Sequence, residues 1–348
     1  MILFVAMSGV VWGIGAVMKT PKGLRWAVIS VLFAAVLLSH LILPDGHPLR
    51  MATGGSAQSW LLLGGVLALF LLYRLGLGTL RAMAQPADPP EKQGTFTPVE
   101  LDRYARHIVM REIGGPGQKS LKQAKVLVIG AGGLGSPALL YLAASGVGTI
   151  GVIDADQVDN SNLQRQVIHT DAEIGNAKVF SAARAMQAQN PFVTVKPYHR
   201  RFTLDIAPEL MAEYDIVLDG TDNFDTRYLS NSCAVAAGIP LVSGALTQWE
   251  GQISVFDPAR SGPCYRCIFP ERPADGLAPG CAEAGVIGPL PGVIGAMMAL
   301  EAIKLITGAG APLRGDMLIY DALWGETRKI ALKRREDCPD CGHLHASG

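Results

Sequence analysis

KVLVIGAGGLGS, residues Lys125–Ser136, is the stretch that decides the fold. A short apolar run rich in β-branched residues stops at Gly130, and Gly130, Gly132 and Gly135 follow in G-x-G-x-x-G spacing. Glycine lets the backbone turn tightly out of a strand, and the missing side chains of the GAGGLG loop, Gly133 included, let a phosphate or ribose approach the amides. A helix over Pro137–Ser145 then offers its positive end to an anion. The next apolar run, Thr149–Asp154, reads as a second strand, and Asp154 at its end suits ribose hydroxyls. A tight strand-to-helix turn without a ligand would also explain these glycines, so the loop alone indicates only a dinucleotide-type fold.

The continuation, VIDADQVDNSNLQRQ (Val152–Gln166), narrows the chemistry. Asn162, Gln164, Arg165 and Gln166 crowd into one loop, and Lys178 opens the following helix. Another apolar strand, Asp215–Leu218, runs into Asp219-Gly220-Thr221-Asp222-Asn223. Cations beside a strand-end aspartate suit a polyphosphate with Mg²⁺, which takes oxygen ligands and substrate phosphates. A nicotinamide-dependent oxidoreductase, the competing reading from a different class, has no use for that cluster.

The chain has 348 residues, enough for one large or two modest domains. With 30 basic and 30 acidic side chains there is no electrostatic case for nucleic-acid binding. Mean hydropathy is positive, +0.27, and the excess lies in the first 80 or so residues. Three apolar runs, near residues 2–18, 24–43 and 58–80, approach the roughly 20 residues that cross a bilayer core about 30 Å thick. No positive charge precedes the first run, which argues against a cleaved signal peptide. Lys19, Lys22 and Arg25 follow the first run, and Arg74 and Arg81 end the third; three passes put both sets on one side. The expected layout is therefore a multi-pass inner-membrane anchor over residues 1–81 with its N-terminus outside. A proline-rich linker over 82–96 and a cytoplasmic domain over 97–348 complete it. A two-pass anchor would separate the two basic sets. Thr97-Pro98-Val99-Glu100 reads as a capping box opening a helix to about Glu112 that carries Arg103, Arg106 and Arg111.

Four of six cysteines stand as Cys264-x-x-Cys267 and Cys338-x-x-Cys341. Two such pairs suit a closed tetrahedral Zn²⁺ site that pins the C-terminal tail, with two disulfides as the alternative. His343 and His345 close by read as a solvated tail. Cys233 reads as a small buried apolar residue. Pro289–Thr307 is apolar enough to mimic a fourth span, but Glu301 and Lys304 interrupt it, so a buried helix is expected. Met317–Ala322 and Thr327–Leu332 read as a terminal antiparallel pair.

From about Tyr104 to Cys341 the chain resembles the MoeB/ThiF/HesA family, bacterial relatives of ubiquitin-activating enzymes. GAGGLG, SNLQRQ, the TDN at Thr221–Asn223, PCYRC, AGVIGPLPGVIG and the final CPDC carry the resemblance. It implies an α/β fold, a Rossmann-like, mostly parallel sheet with an antiparallel C-terminal extension and a structural Zn site, here preceded by transmembrane helices. It implies an adenylyltransferase that joins ATP to the C-terminal Gly-Gly carboxylate of a small ubiquitin-like sulfur carrier, releasing pyrophosphate. The molybdopterin-synthase small subunit is the first expectation for that carrier and a thiamine-type carrier the second. By the same resemblance Gly132 lines the nucleotide, Asp154 holds the ribose, Asn162, Arg165 and Lys178 meet the phosphates, Asp222 binds Mg²⁺, and Asn223 beside it is a further nucleotide contact. Arg106 reaches the phosphates across a homodimer interface. Cys281, in the polar crossover loop Pro270–Gly285, matches a thiol used for sulfur transfer in some members; an unreactive loop thiol is the plain alternative. The chain shows no rhodanese-like domain, so the sulfur donor is expected to be a separate protein such as a cysteine desulfurase or rhodanese. A membrane-tethered scaffold with an inactive nucleotide pocket is the third reading.

Overall fold

The computed structural model describes residues 2–54, 56–84, 95–272 and 284–345, and the chain divides into two compact units, Met1–Gln93 and Gly94–Gly348.

The first unit consists of helices Ile2–Val17, Lys22–Ile42, Pro48–Thr53 and Ala57–Ala84. Lys19 with positive φ and Pro21 end one helix and start the next, and the turn at Gly46 (φ 98°) separates the second from the third. Trp60 is the hub: it lies edge-on to Phe4 at 5.5 Å and tilted on Phe33 at 5.8 Å, and its indole N–H donates to the Gly54 carbonyl at 3.0 Å. Leu62, Leu69, Phe70 and Leu72 face outward instead. That is the reverse of a water-facing helix, whose outer face is polar. Lys22–Ile42 and Ala57–Thr79 are long and apolar enough to cross a membrane. Ile2–Val17 has 16 residues, about 24 Å at 1.5 Å per residue, and falls short of the same measure. The last helix runs on to Ala84, and the remainder of the expected linker lies largely outside the described residues.

The second unit is built on one eight-stranded sheet. Its strands are β1 (Lys125–Ile129), β2 (Thr149–Ile153), β3 (Thr194–Tyr198), β4 (Ile216–Asp219), β5 (Leu241–Leu246), β6 (Glu250–Phe256), β7 (Asp316–Asp321) and β8 (Glu326–Ala331), in the order β3-β2-β1-β4-β5-β6-β7-β8. β1 to β5 are mutually parallel; β6, β7 and β8 are antiparallel to their neighbours. β1 reads KVLVI and is buried except at its first residue, as a strand covered on both faces must be. One face packs against helices Gly135–Ala144, Lys178–Gln189 and Pro289–Thr307, the other against Ala207–Met211 and Phe224–Ala237. β1 and β4 lie side by side, and the crossovers leaving them go opposite ways, to β2 and to β5. That switch point opens a crevice at the carboxyl ends of the strands.

Pro289–Thr307 is a core helix, as its internal charges imply: Leu290, Ile294, Met298 and Ala302 are buried, and buried Glu301 accepts from the Leu313 N–H and pairs with Lys304. The helix expected from Thr97 to Glu112 is corrected. Its capping box forms as read, with Thr97 Oγ1 accepting from the Glu100 N–H at 3.2 Å and Glu100 Oε2 from the Thr97 N–H at 2.9 Å. The helix then breaks at Tyr104 (φ −96°, ψ 7°) into Pro98–Arg103 and Ala105–Ile108. The break plants the Tyr104 ring in the core, where its hydroxyl accepts from Asn190 Nδ2 at 2.8 Å.

Candidate active site

The four glycines of the loop after β1 do different things. Gly130 turns the chain with φ 92°, a region other residues rarely enter. A Cβ on Gly135 would lie 2.0 Å from the Gly130 carbonyl oxygen, so this glycine lets the helix start against the strand end. At Gly132 the nearest atom to an added Cβ is Gln166 Nε2 at 3.8 Å, leaving its face open for a ligand. Gly133 is the one that packs, with Pro291 3.1 Å and Arg165 Cγ 3.6 Å from the same construction.

Between the first two glycines, Ala131 is gripped from both sides. Its N–H donates to Asp154 Oδ2 at 2.8 Å, and its carbonyl lies 3.0 Å from the Nε2 of buried His169. A carbonyl only accepts, so Nε2 carries the proton, and Nδ1, 2.9 Å from Ser181 Oγ, accepts from that hydroxyl. Burial lowers the His169 pKa and outweighs the bond to Ala131, which raises it. Asp154 therefore serves the loop as well as any ribose. Its Oδ1 also accepts from the Asp156 N–H at 2.8 Å, and each oxygen keeps lone-pair capacity for a hydroxyl donor.

The cations stand around this loop. Arg165, half-buried beside Gly133, donates to Asn162 Oδ1 at 2.8 Å and the Ser161 carbonyl at 3.2 Å. Lys178 opens its helix as expected; it is buried, and its ammonium pairs with exposed Asp156 at 2.9 Å. An added Cβ on Gly130 would touch Thr221, which brings the turn after β4 against the glycine loop. In that turn Asp222 is exposed and makes no hydrogen bond or ion pair with any described residue. Asn223 caps helix Phe224–Ala237, its Oδ1 accepting from the Thr226 N–H at 2.8 Å. The residue types fit ATP with a divalent cation: an open glycine, two cationic side chains and an uncommitted carboxylate. Arg106 lies exposed on the short helix Ala105–Ile108, and no hydrogen bond joins it to that cluster. Cys281 lies outside the described residues.

Four residues that the sequence reading left without a role belong here: Asp156, His169, Asp219 and Arg227. Asp156 and Asp219 stand in the quoted motifs and are recognisable only once their partners are seen. His169 and Arg227 lie on helical or loop stretches with no periodic signature.

Cys264, Cys267, Cys338 and Cys341 bring their Sγ atoms within 4.8 Å of one another, all four buried and none in a disulfide. The pairs Cys264–Cys267, Cys264–Cys338 and Cys267–Cys341 are 3.8, 3.5 and 3.4 Å apart. Four thiolates at about 2.3 Å around tetrahedral zinc would be about 3.8 Å apart, so the cluster fits that ion with little adjustment. Burial pushes the Cys264 thiol up to about 12, a cost that a bound dication offsets by favouring the thiolate. The tail is also held by Asp340, whose oxygens accept from Asn231 Nδ2 at 2.7 Å, Ser232 Oγ at 2.9 Å and Arg266 at 2.7 Å. His343 is exposed and stands outside the cluster.

The ThiF family pattern matches residues 104–340, more than half of the chain. The chain belongs to the ThiF family. This ThiF-family chain is 49% identical over 251 residues to the sulfur carrier protein adenylyltransferase of Thermus thermophilus, covering 71% of this chain and 93% of the relative. It is 49% identical over 261 residues to the probable adenylyltransferase/sulfurtransferase MoeZ of Mycobacterium tuberculosis, covering 74% and 67%. It is 48% identical over 243 residues to the SAMP-activating enzyme E1 of Haloferax volcanii, covering 70% and 89%. Among solved structures, E. coli MccB with MccA-N7isoASN shares the fold with a TM-score of 0.61 at 23% identity, over 70% of this chain and 74% of that one.

Proposed function

We propose that this ThiF-family chain is an adenylyltransferase that uses ATP to activate the C-terminal Gly-Gly carboxylate of a small ubiquitin-like sulfur carrier, of the molybdopterin-synthase type. The observation that carries the reading is the meeting of an open glycine loop, Arg165, buried Lys178 and exposed Asp222 at the carboxyl ends of β1, β2 and β4. The names of its relatives point the same way.

The substrate carboxylate attacks the α-phosphorus of ATP; an acyl–phosphate bond forms, the α–β phosphoanhydride bond breaks and pyrophosphate leaves. No side-chain nucleophile is needed. Two anions must approach, so Arg165 and Lys178 offset the repulsion and stabilise the equatorial oxygens. Asp222 would hold the Mg²⁺, which neutralises phosphate charge when bound. Lys178 and Asp156 hold each other until phosphate oxygens compete for the ammonium. The cysteine cluster takes zinc as a structural clamp with no open position. A separate protein supplies sulfur, and two copies of the chain pair so that exposed Arg106 serves the neighbouring site.

The first unit reads as a multi-pass membrane anchor with the catalytic unit on the cytoplasmic face. Two helices of sufficient length, outward apolar side chains, and basic residues both at the junction of the first two helices and in the last part of Ala57–Ala84 support this. The shorter first helix crosses with bilayer thinning around it.

The test is ATP–pyrophosphate exchange by the full chain in detergent or vesicles. Exchange should require a carrier ending in Gly-Gly and ignore NAD. Exchange equal with and without the carrier would refute the assignment. A thiamine-type carrier outperforming the molybdopterin type would move the substrate. Extraction of the protein by alkaline carbonate would refute the anchor.

A further inference from the structure

The residues on either side of Asp222 are held by bonds to the protein. Thr221, just before it, is fixed at both peptide ends. Its N–H and hydroxyl both donate to Asp219 Oδ1, at 3.0 and 2.7 Å. Its carbonyl accepts from the Arg227 guanidinium, which also donates to the Gly244 carbonyl at 2.8 Å and Ser243 Oγ at 3.1 Å. Both clamps are buried: Asp219 is 0% exposed and Arg227 6%. Ser243 is the β5 residue paired in register with Asp219, so one guanidinium ties the turn to the adjacent strand. On the other side Asn223 is committed to its helix cap. Asp222 itself is left exposed on a turn held before and after it.

A buried arginine is costly unless its donors are satisfied, and here carbonyl and hydroxyl acceptors satisfy it while Asp219 keeps one buried oxygen, Oδ2, without a partner. No ion pair joins these two groups to each other; both bond Thr221 instead.

We propose that Arg227, working with Asp219 through Thr221, is a positioning residue that pre-sets Asp222 for the divalent cation of the bound nucleotide. The inference rests on the nucleotide reading of the site. A turn already ordered spends none of the cation's binding energy on ordering it, and a displacement of about 1 Å at a catalytic group is enough to cost about 100-fold in rate.

The test measures Mn²⁺ bound in the presence of a non-hydrolysable ATP analogue, by electron paramagnetic resonance, on the full chain. Arg227→Gln should weaken Mn²⁺ about tenfold while metal-free analogue affinity stays within twofold, and exchange should lose kcat about 100-fold with KM for ATP within threefold. Ser243→Ala, a milder change to the same clamp, should weaken Mn²⁺ about threefold. Zinc content and circular dichroism report the fold. Unchanged Mn²⁺ affinity in folded Arg227→Gln overturns the proposal, as does a parallel loss of metal-free nucleotide affinity, which marks general loosening. If Arg227→Gln does not fold, Ser243→Ala decides in the same way. Wild-type protein that binds no Mn²⁺–nucleotide complex overturns the nucleotide reading together with the proposal.

Discussion

At the glycine loop, Arg165, Lys178 and Asp222 carry charge that the fold matches only in part: one cation leans on Asn162, another on an exposed aspartate, and the carboxylate on nothing described. At the cysteine cluster four buried sulfurs face one another, and Asp340 seals the tail with three bonds of its own. A site whose charges are provisionally held suits a ligand that comes and goes. A closed set of ligands suits one that stays. The two sites share helix Phe224–Ala237, which begins at the Asp222 turn and carries Asn231 and Ser232 to the tail.

The largest effect should follow from breaking the closed site. Structural zinc binds small peptide sites with about 10–16 kcal/mol, and three thiolates do not complete the shell. Cys341→Ser should take the zinc content from about one per chain to none, and limited proteolysis should then remove the tail. A variant that kept full zinc and resisted protease would show the cluster to be less closed than its geometry.

Next in size is the open site. Arg165→Ala should cut carrier-dependent exchange about 100- to 1000-fold, or about 2.7–4 kcal/mol of transition-state stabilisation, with zinc content untouched. Loss of zinc along with activity would mean that the two sites are not separate, and the comparison would fail.

Much of this was legible in the sequence because the signals are local. G-x-G-x-x-G after a β-branched run fixes strand, turn and helix within twelve residues, and two CxxC pairs announce a metal site without any fold. What stayed hidden depends on distant partners. Nothing near His169 marks it as the clasp on Ala131, because its two partners lie 38 and 12 residues away. The break at Tyr104 was invisible because propensity favours one continuous helix there, and only the buried ring, bonded to Asn190, outweighs it. The place of Asn223 in TDN points to a nucleotide contact, and its capping bond is seen only with the helix in hand.

His169 supplies the third break. Its folded pKa lies below the ordinary value near 6.5, so the unfolded chain binds the proton more readily. The stability it confers is complete above that value and is lost as pH falls below it, with a slope of at most about 1.4 kcal/mol per pH unit. Glu100 acts in a separate window. Burial would raise its carboxyl, but Lys122 and Thr97 together bring it below 4.5, so its contribution fades only in stronger acid. Urea melts of the wild type between pH 7.5 and 5.5 should show the slope, and His169→Gln should flatten it. An identical slope in the variant would remove His169 as its source.

The smallest effect distinguishes the two roles that Asn223 can have. As a helix N-cap, its replacement by alanine should cost about 1 kcal/mol of stability, while Asn223→Asp, which keeps the acceptor and suits a helix N-terminus, should cost almost nothing. As a direct contact to ATP, the aspartate would add a negative charge beside phosphates, and exchange would fall while stability held. Measuring both variants by urea melts and by exchange therefore assigns Asn223 to the scaffold or to the open site. The bond from the Thr226 N–H to Oδ1 predicts the scaffold: stability lost in alanine, restored in aspartate, and exchange in the aspartate variant within about twofold of wild type.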